Sequence, residues 1–205
     1  LPPEPLVLAF DTSAAHCAAA LLSGDRVLDQ RLEEMPTGQA DRLMPLLEEM
    51  LAGAGMAWAD LSGLGVGTGP GNFTGVRISV AAARGLALGL GIPAIGVTTF
   101  EALALDVPRP VVVRLDARRD QLYAQTFGAA PVPARLIPLA EDFPSPAGTA
   151  VVGFGGDTPP RHPLAVAIAR IAQGRLGQPQ PRPAPFYLRG ADALPPSDPP
   201  PVILP

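Results

Sequence analysis

Three groups of residues in this chain have types and spacings that could do chemistry. The first is Asp11-Thr12-Ser13, which closes a short apolar run. A carboxylate beside two hydroxyls can hold a magnesium-bound phosphate. The same three residues can equally form an Asx or ST turn that needs no ligand. The second group is the segment Gly67-Thr68-Gly69-Pro70-Gly71-Asn72-Phe73-Thr74-Gly75, which feeds a helix. Gly69 and Gly71 let such a loop turn its backbone N–H groups toward an anion at the helix N-terminus. It matches neither GxxxxGK(S/T) nor GxGxxG, so a plain strand-to-helix connection stands beside the anion reading. The third is Arg77, in the first turn of that helix, where the dipole disfavours a cation. Asp11, a bound anion or solvent are the candidate compensations. A second acidic turn, Asp116 and Asp120 around Arg118 and Arg119, suits either phosphate or a charged surface.

The residues that are missing narrow the chemistry. All 15 basic residues are Arg, so Schiff-base, P-loop-lysine and Ser-Lys mechanisms are excluded. The two histidines, His16 and His162, have no paired-ligand spacing. That excludes a His-rich metal centre and leaves a Ser-His-Asp triad little to draw on. The single cysteine, Cys17, reads as a small buried hydrophobe, and Trp58 as a core or interface residue. A net charge of -4 argues against a free-standing nucleic-acid binder. With 47% hydrophobic and 17% charged residues, the chain is globular and apolar enough to suggest a subunit interface.

The elements that position these groups follow from hydrophobic patterning. Runs at Leu6–Phe10, Cys17–Leu22 and Val27–Leu32 read as an antiparallel meander. Residues 39–52 read as a helix whose apolar face holds Leu43, Leu46, Leu47, Met50 and Leu51. Pro45 is expected to end or kink its first turn. A strand at 64–67 leads through the glycine-rich loop to a helix at 76–90, with Thr74 as the expected cap. A strand at 93–97 and a helix at 98–105 follow. Strands at 111–116 and 121–127 repeat the opening arrangement of strand, acidic turn and strand. The prolines of 129–146 leave that stretch without a firm element. A strand at 150–154 and a helix at 164–173 come next. From Pro179 the chain reads as loop or polyproline, with Phe186-Tyr187-Leu188-Arg189 as an apolar anchor. At ~150 residues per domain, 205 residues allow one domain or two small ones. The expected division is a lobe at 1–105, a second at 106–190 and a Pro-rich tail at 191–205. The apolar stretch from Gly85 to Phe100 is broken by Gly89, Gly91 and Pro93, so no membrane span is expected. The start, without Met or a basic segment, reads as trimmed and free of a signal peptide.

Several segments then carry a resemblance: Leu8-Ala9-Phe10-Asp11-Thr12-Ser13, Gly69-Pro70-Gly71-Asn72-Phe73-Thr74-Gly75-Val76-Arg77-Ile78, Gly85-Leu86-Ala87-Leu88-Gly89, Pro93-Ala94-Ile95-Gly96-Val97, Leu115-Asp116-Ala117-Arg118 and Tyr187-Leu188-Arg189. In this order, from about Leu6 to Arg189, they closely resemble the TsaB (YeaZ) family. The resemblance implies an α/β chain of the actin-like, sugar-kinase and Hsp70 ATPase (ASKHA) fold, with two lobes of mixed sheet flanked by helices. It implies a cytoplasmic, non-catalytic scaffold or activator in N6-threonylcarbamoyladenosine (t6A) synthesis at position 37 of tRNAs that read ANN codons. The implied partners are the catalytic paralogue TsaD and, through it, the ATPase TsaE. A homodimer is implied when the chain is alone, with tRNA met only within the complex. ATP and a metal ion are expected in the partner subunits, and no cofactor or metal in this chain. Where the catalytic paralogue carries two metal-binding histidines, this chain has Thr99 and Leu103, poor or impossible ligands. Asp11, Thr12, Ser13, Gly69, Gly71 and Arg77 remain as nucleotide- or anion-binding candidates. The turn after the second strand pair lacks the paired glycines of nucleotide-binding members, which argues against ATP binding by the chain alone. The family's paired helices imply an interface at Leu43, Leu47, Met50, Ser79, Val80 and Ala83, unless those faces pack into the chain's own core. The opening Gln39-Ala40-Asp41-Arg42 departs from the His-Thr pair of many relatives. The alternative reading is a free-standing nucleotide hydrolase or phosphotransferase of the same fold.

Overall fold

Six consecutive buried residues make Leu6–Asp11 (β1) a central strand. In the computed structural model, which describes residues 4–144 and 148–189, β1 pairs antiparallel with His16–Ser23 (β2). Strand β2 pairs in turn with Arg26–Glu34 (β3). On its other side β1 pairs parallel with Gly63–Gly67 (β4), and β4 pairs parallel with Ala94–Val97 (β5). The sheet order is β3-β2-β1-β4-β5. Parallel neighbours need crossovers, and two helices supply them: Gln39–Gly53 (α1) before β4 and Phe73–Leu90 (α2) between β4 and β5. Alternate residues of β1 feed opposite faces. Leu8 and Phe10 join Leu43, Leu46, Leu47 and Met50 of α1 and Val76, Val80 and Ala83 of α2. Val7 and Ala9 face Ala165, Ile168, Ala169 and Ala172 of the last helix, Leu164–Gly174 (α4). Sequence order places α4 in the C-terminal lobe, yet it packs on the first sheet. Its small residues allow that close approach: a side-chain carbon on Gly65 would lie only 3.0 Å from the Ala172 methyl.

The second sheet repeats the plan in order β8-β7-β6-β9. Val111–Asp116 (β6) pairs antiparallel with Gln121–Phe127 (β7), which pairs antiparallel with Val132–Pro138 (β8). Ala150–Gly153 (β9) pairs parallel with β6, as β4 does with β1. An antiparallel meander with a parallel strand beside its first member, built twice, is the actin-like arrangement expected from the sequence. Strand β8 lies in the stretch that its prolines left unassigned. It is an edge strand, where Pro133 and Pro138 need not donate to an inner ladder. The proposed 191–205 tail lies outside the described residues.

Two helix details differ from expectation. Helix α1 runs through Pro45 to Gly53. Pro45 and Asp41, whose carbonyl loses its partner, are both exposed, so solvent can satisfy that carbonyl. Helix α2 starts at Phe73, and its cap is Asn72 rather than Thr74: Asn72 Oδ1 accepts from the Gly75 N–H at 3.0 Å. Only five of the 18 residues of α2 are buried. By length and composition this helix is long and apolar enough to cross a membrane, but its Val76–Val80–Ala83 stripe lies in the core of the first sheet.

A polar latch fixes Thr99–Ala104 (α3), the helix between the lobes. Thr98 caps it, and Glu101 accepts from the Thr98 N–H at 2.8 Å. Arg175, just past α4, donates to Glu101 at 2.5 Å and to the Gly96 carbonyl at 3.3 Å. Burial pushes the Glu101 carboxyl up, but the Arg175 and Thr98 hydrogen bonds outweigh it and hold the pKa below the usual carboxylate range. A depressed folded pKa gives stability that is present above the unfolded value, about 4.3. It is lost as pH falls through the folded value. Glu101→Gln should therefore cost about 1–2 kcal/mol at neutral pH. The deficit should shrink in acid, which thermal unfolding at both pH values measures.

Candidate functional site

The turn between β1 and β2 sits against the glycine-rich loop between β4 and α2. Asp11 is fully buried at the end of β1. Its Oδ1 accepts from the Ser13 N–H at 2.9 Å and the Ser13 hydroxyl at 2.8 Å. His16 Nε2, at the start of β2, lies 2.9 Å from the same oxygen and donates to it. Asp11 Oδ2 is buried with no hydrogen-bond partner among the described residues. It abuts Gly67, where a side-chain carbon would fall 1.8 Å from it. Thr12 Oγ1 donates to the Gly75 carbonyl at 2.6 Å. The Ser13 carbonyl accepts from the Asn72 N–H at 2.6 Å.

The glycines of the loop are spaced for this contact. Side-chain carbons at Gly71 and Gly75 would fall 2.3 Å from the Ser13 carbonyl oxygen and 1.9 Å from the Thr12 carbonyl oxygen. Gly69 takes the left-handed conformation, with φ +88°, that only glycine adopts freely. Its carbonyl accepts from the Thr99 N–H at 2.8 Å. The Thr68 carbonyl accepts from the Phe186 N–H at 2.8 Å. The loop is thus closed by the chain's own β1–β2 turn, by α3 and by the C-terminal segment.

Asp11, Thr12, Ser13, Gly69 and Gly71 therefore come together, and of the side-chain polar atoms of Asp11, Thr12 and Ser13 all but Asp11 Oδ2 bond within the chain. Arg77 does not join them, which corrects the pairing with Asp11. Its Nε donates to the Tyr187 hydroxyl at 2.9 Å, and its guanidinium lies 3.7 Å over the Phe73 ring. Phe73 and Tyr187 stack with ring centroids 5.1 Å apart. Two aromatic faces and a phenol oxygen offset the cation at the helix start. Sequence reasoning missed His16, Gly67, Phe73 and Tyr187 as partners. Gly67 and Phe73 lie in the glycine-rich loop and Tyr187 in the Phe186-Tyr187-Leu188-Arg189 anchor, but no pattern points to His16.

This geometry constrains the chemistry. Ser13, Asp11 and His16 look like the members of a nucleophilic triad, but they are wired through the aspartate. A triad needs the histidine between the other two, accepting the serine proton. Here the serine proton goes to Asp11, and Ser13 is 4% exposed. The two hydroxyls of the turn are committed to the chain itself, Thr12 to the Gly75 carbonyl and Ser13 to Asp11. The hydroxyls and carboxylate face inward, and the Gly75 and Val76 N–H groups are held by Asn72. The second acidic turn differs from the first. Asp116 is exposed and accepts from the Arg118 N–H at 2.7 Å, and Arg118, Arg119 and Asp120 all have positive φ. No three His, Cys, Asp or Glu side chains converge on a metal-sized space among the described residues. Thr99 faces the Pro70 carbonyl at 3.5 Å, and Leu103 packs in the second core. Cys17 is buried, and burial, then the Glu33 charge, push its thiol up to about 11. It stays protonated and unreactive at neutral pH.

The expected interface residues need a correction. Leu43, Leu47, Met50, Val80 and Ala83 are buried against the first sheet. Ser79 is buried too, its hydroxyl donating to the Gly67 and Val76 carbonyls at 3.2 Å. The apolar stripe that periodicity finds on each helix is the stripe that faces the core. The outer face of α2 carries Arg77, Ala81, Arg84, Gly85 and Leu88, and Leu88 is 83% exposed.

Comparison with known proteins gives consistent matches. Residues 37–132 match the family model described as TsaD, tRNA N6-adenosine threonylcarbamoyltransferase. The chain is 36% identical over 122 residues to the tRNA threonylcarbamoyladenosine biosynthesis protein TsaB of Escherichia coli. That match covers 57% of this chain and 52% of the relative, so the chain spans about half the length of the curated TsaB relatives it matches. An uncharacterised protein of Mycobacterium tuberculosis is 32% identical over 205 residues, covering 92% of this chain and 94% of the relative. The solved structure of YeaZ from Pseudomonas aeruginosa superposes with a TM-score of 0.71 at 26% identity, covering 90% of this chain and all of that one. A second Pseudomonas aeruginosa structure, described as similar to peptidase YeaZ, superposes with a TM-score of 0.76 at 26% identity, with the same coverage.

Proposed function

This chain belongs to the TsaB/YeaZ family, and from that premise we propose that it is a non-catalytic subunit of the machinery that makes t6A at position 37 of ANN-decoding tRNAs. Its task is to bind and activate a TsaD-like catalytic paralogue in the cytoplasm. TsaE joins through that complex, and tRNA is met only there. Alone, the chain pairs with a second copy. ATP and the metal ion belong to the partner subunits.

The observation that carries this reading is the outer face of α2. A helix with five of 18 residues buried leaves an apolar surface that water does not favour. Small residues at Ala81 and Gly85 let another helix approach its backbone, and Leu88 offers a large apolar contact. The inward wiring of Asp11, Thr12 and Ser13 supports a non-catalytic role and speaks against the hydrolase or phosphotransferase alternative.

Light-scattering mass of the chain mixed with the catalytic paralogue from the same genome tests this reading. The expected result is a heterodimer that Leu88→Glu weakens at least tenfold, a loss of about 1.4 kcal/mol. The exposed position leaves folding intact. Chain and paralogue that stay apart, even with TsaE and ATP present, would overturn the proposal. So would steady ATP turnover by the isolated chain.

A further inference from the structure

Strand β3 is an outer edge of the first sheet and runs for nine residues. One side of it pairs with β2. Among the described residues, no other backbone hydrogen bond reaches residues 26–34. An open edge of this length is a template for another strand. Its side chains are arranged for one particular strand, a second β3. Val27 lies beside Leu22 and Leu32 beside Ala18, on the sheet face turned to α4. They are 40% and 64% exposed. On the face turned to α1, Arg26 lies beside Ser23, Asp29 beside Leu21, Arg31 beside Ala19 and Glu33 beside Cys17. Between the two groups Leu28 bulges out of the ladder, opposite no residue of β2.

We infer that β3 is the surface through which two copies of this chain associate, antiparallel and centred on Gln30, joining two five-stranded sheets into one. A two-fold axis through Gln30, normal to the sheet, sets Asp29 against Arg31 of the second copy and Arg31 against its Asp29. Beyond the bulge, Val27 meets Leu32 of the second copy on one face, and Arg26 meets its Glu33 on the other. Every charge from 26 to 33 finds its opposite, and the exposed apolar pair is covered. Opposite charges and apolar pairs that face each other across an antiparallel ladder stabilise it, and like charges oppose it. An axis through Asp29 would set Asp29 on itself, and one through Arg31 would set Arg31 on itself. An axis half a residue to either side of Gln30 sets Asp29 and Arg31 against neutral residues. Within the chain, Arg31 spends only Nε and Nη1, on Asp29 and Glu49. The contact is isologous, so it closes at two copies. The inference rests on the reading that the chain alone pairs with a second copy, and deepens it by naming a surface other than the outer face of α2.

Sedimentation velocity over a concentration series gives the dimer dissociation constant of the full chain, for wild type, Asp29→Arg, Arg31→Asp, Leu32→Glu and Leu88→Glu. Asp29 and Arg31 are partly exposed, and surface ion pairs add little to folding, so these chains keep their fold. Leu32 is more exposed still and lies outside the ion pairs. Each of the three β3 substitutions should weaken the dimer at least tenfold. An equimolar mixture of Asp29→Arg and Arg31→Asp should recover it, because one chain then presents two cations to two anions of the other. Substitutions in β3 that leave the dimer as tight as wild type, or a mixture that gains nothing over either variant, would overturn the inference. If Leu88→Glu alone separates the copies, the inference falls and self-association survives on the α2 face. A wild type that stays monomeric throughout the series overturns both.

Discussion

Gly75→Ala should destabilise the chain by about 3 kcal/mol or more, at the upper end for overpacking a tight site. The new methyl would fall 1.9 Å from the Thr12 carbonyl oxygen, and that atom is backbone. It cannot rotate away as a flexible side chain would. Relief requires the β1–β2 turn to lift from the first turn of α2, which breaks the 2.6 Å bond from Thr12 Oγ1 to the Gly75 carbonyl. For a chain of this length the expected fall in melting temperature is roughly 6–12 °C. Gly85→Ala is the matched control. It lies in the same helix, with nothing within 4 Å of the added carbon. There the usual helix preference applies, and stability should rise by about 0.5–1 kcal/mol. Equal gains at the two positions would mean that only helix propensity acts and that the turn does not need Gly75.

The same contact shows what could be read from sequence and what could not. The strands around Asp11 and the meander are legible because their apolar runs are short and bounded by turn residues. The repeat in the second lobe is legible for the same reason, up to β8, where Pro133 and Pro138 hide an edge strand. The glycine-rich loop is visible, but its use is not. Gly67, Gly71 and Gly75 could leave room for an anion or for another piece of chain, and sequence carries no information about which arrives. Helical periodicity identifies one apolar stripe, and the core takes it. That is why Leu43, Leu47, Met50, Ser79, Val80 and Ala83 face inward. The outer face of α2 is apolar through Ala, Gly and a single Leu, too weak a pattern to separate from the Ala-rich background. Arg77 and Tyr187 are 110 residues apart, and their bond depends on the C-terminal segment crossing back to the first lobe.

Asp11→Ala should cost about 3 kcal/mol or more, since each buried donor left unsatisfied costs about 1–3 kcal/mol. The substitution strands the Ser13 N–H, the Ser13 hydroxyl and His16 Nε2, all of which donate to one carboxylate oxygen. It also empties the space against Gly67. Asp11→Asn separates the structural role from a catalytic one. The amide keeps an acceptor at Oδ1 for the three donors. At Oδ2 it places an NH2 against Gly67, where nothing accepts it. Its expected cost is an intermediate ~1–3 kcal/mol, that of one buried unsatisfied donor. Denaturant unfolding should therefore rank the proteins wild type, Asn, Ala in falling stability. Both variants, assayed where they remain folded, should bind the catalytic paralogue within twofold of wild type, because Asp11 is fully buried and forms no part of the outer face of α2. A carboxylate that served phosphate chemistry would give the opposite pattern. Asn would then fold as stably as wild type and fail in activity, since a buried charge held for a ligand is a burden on the free protein. The turn at Asp11 would in that case be a nucleotide site, and the inward hydrogen bonds only its resting state.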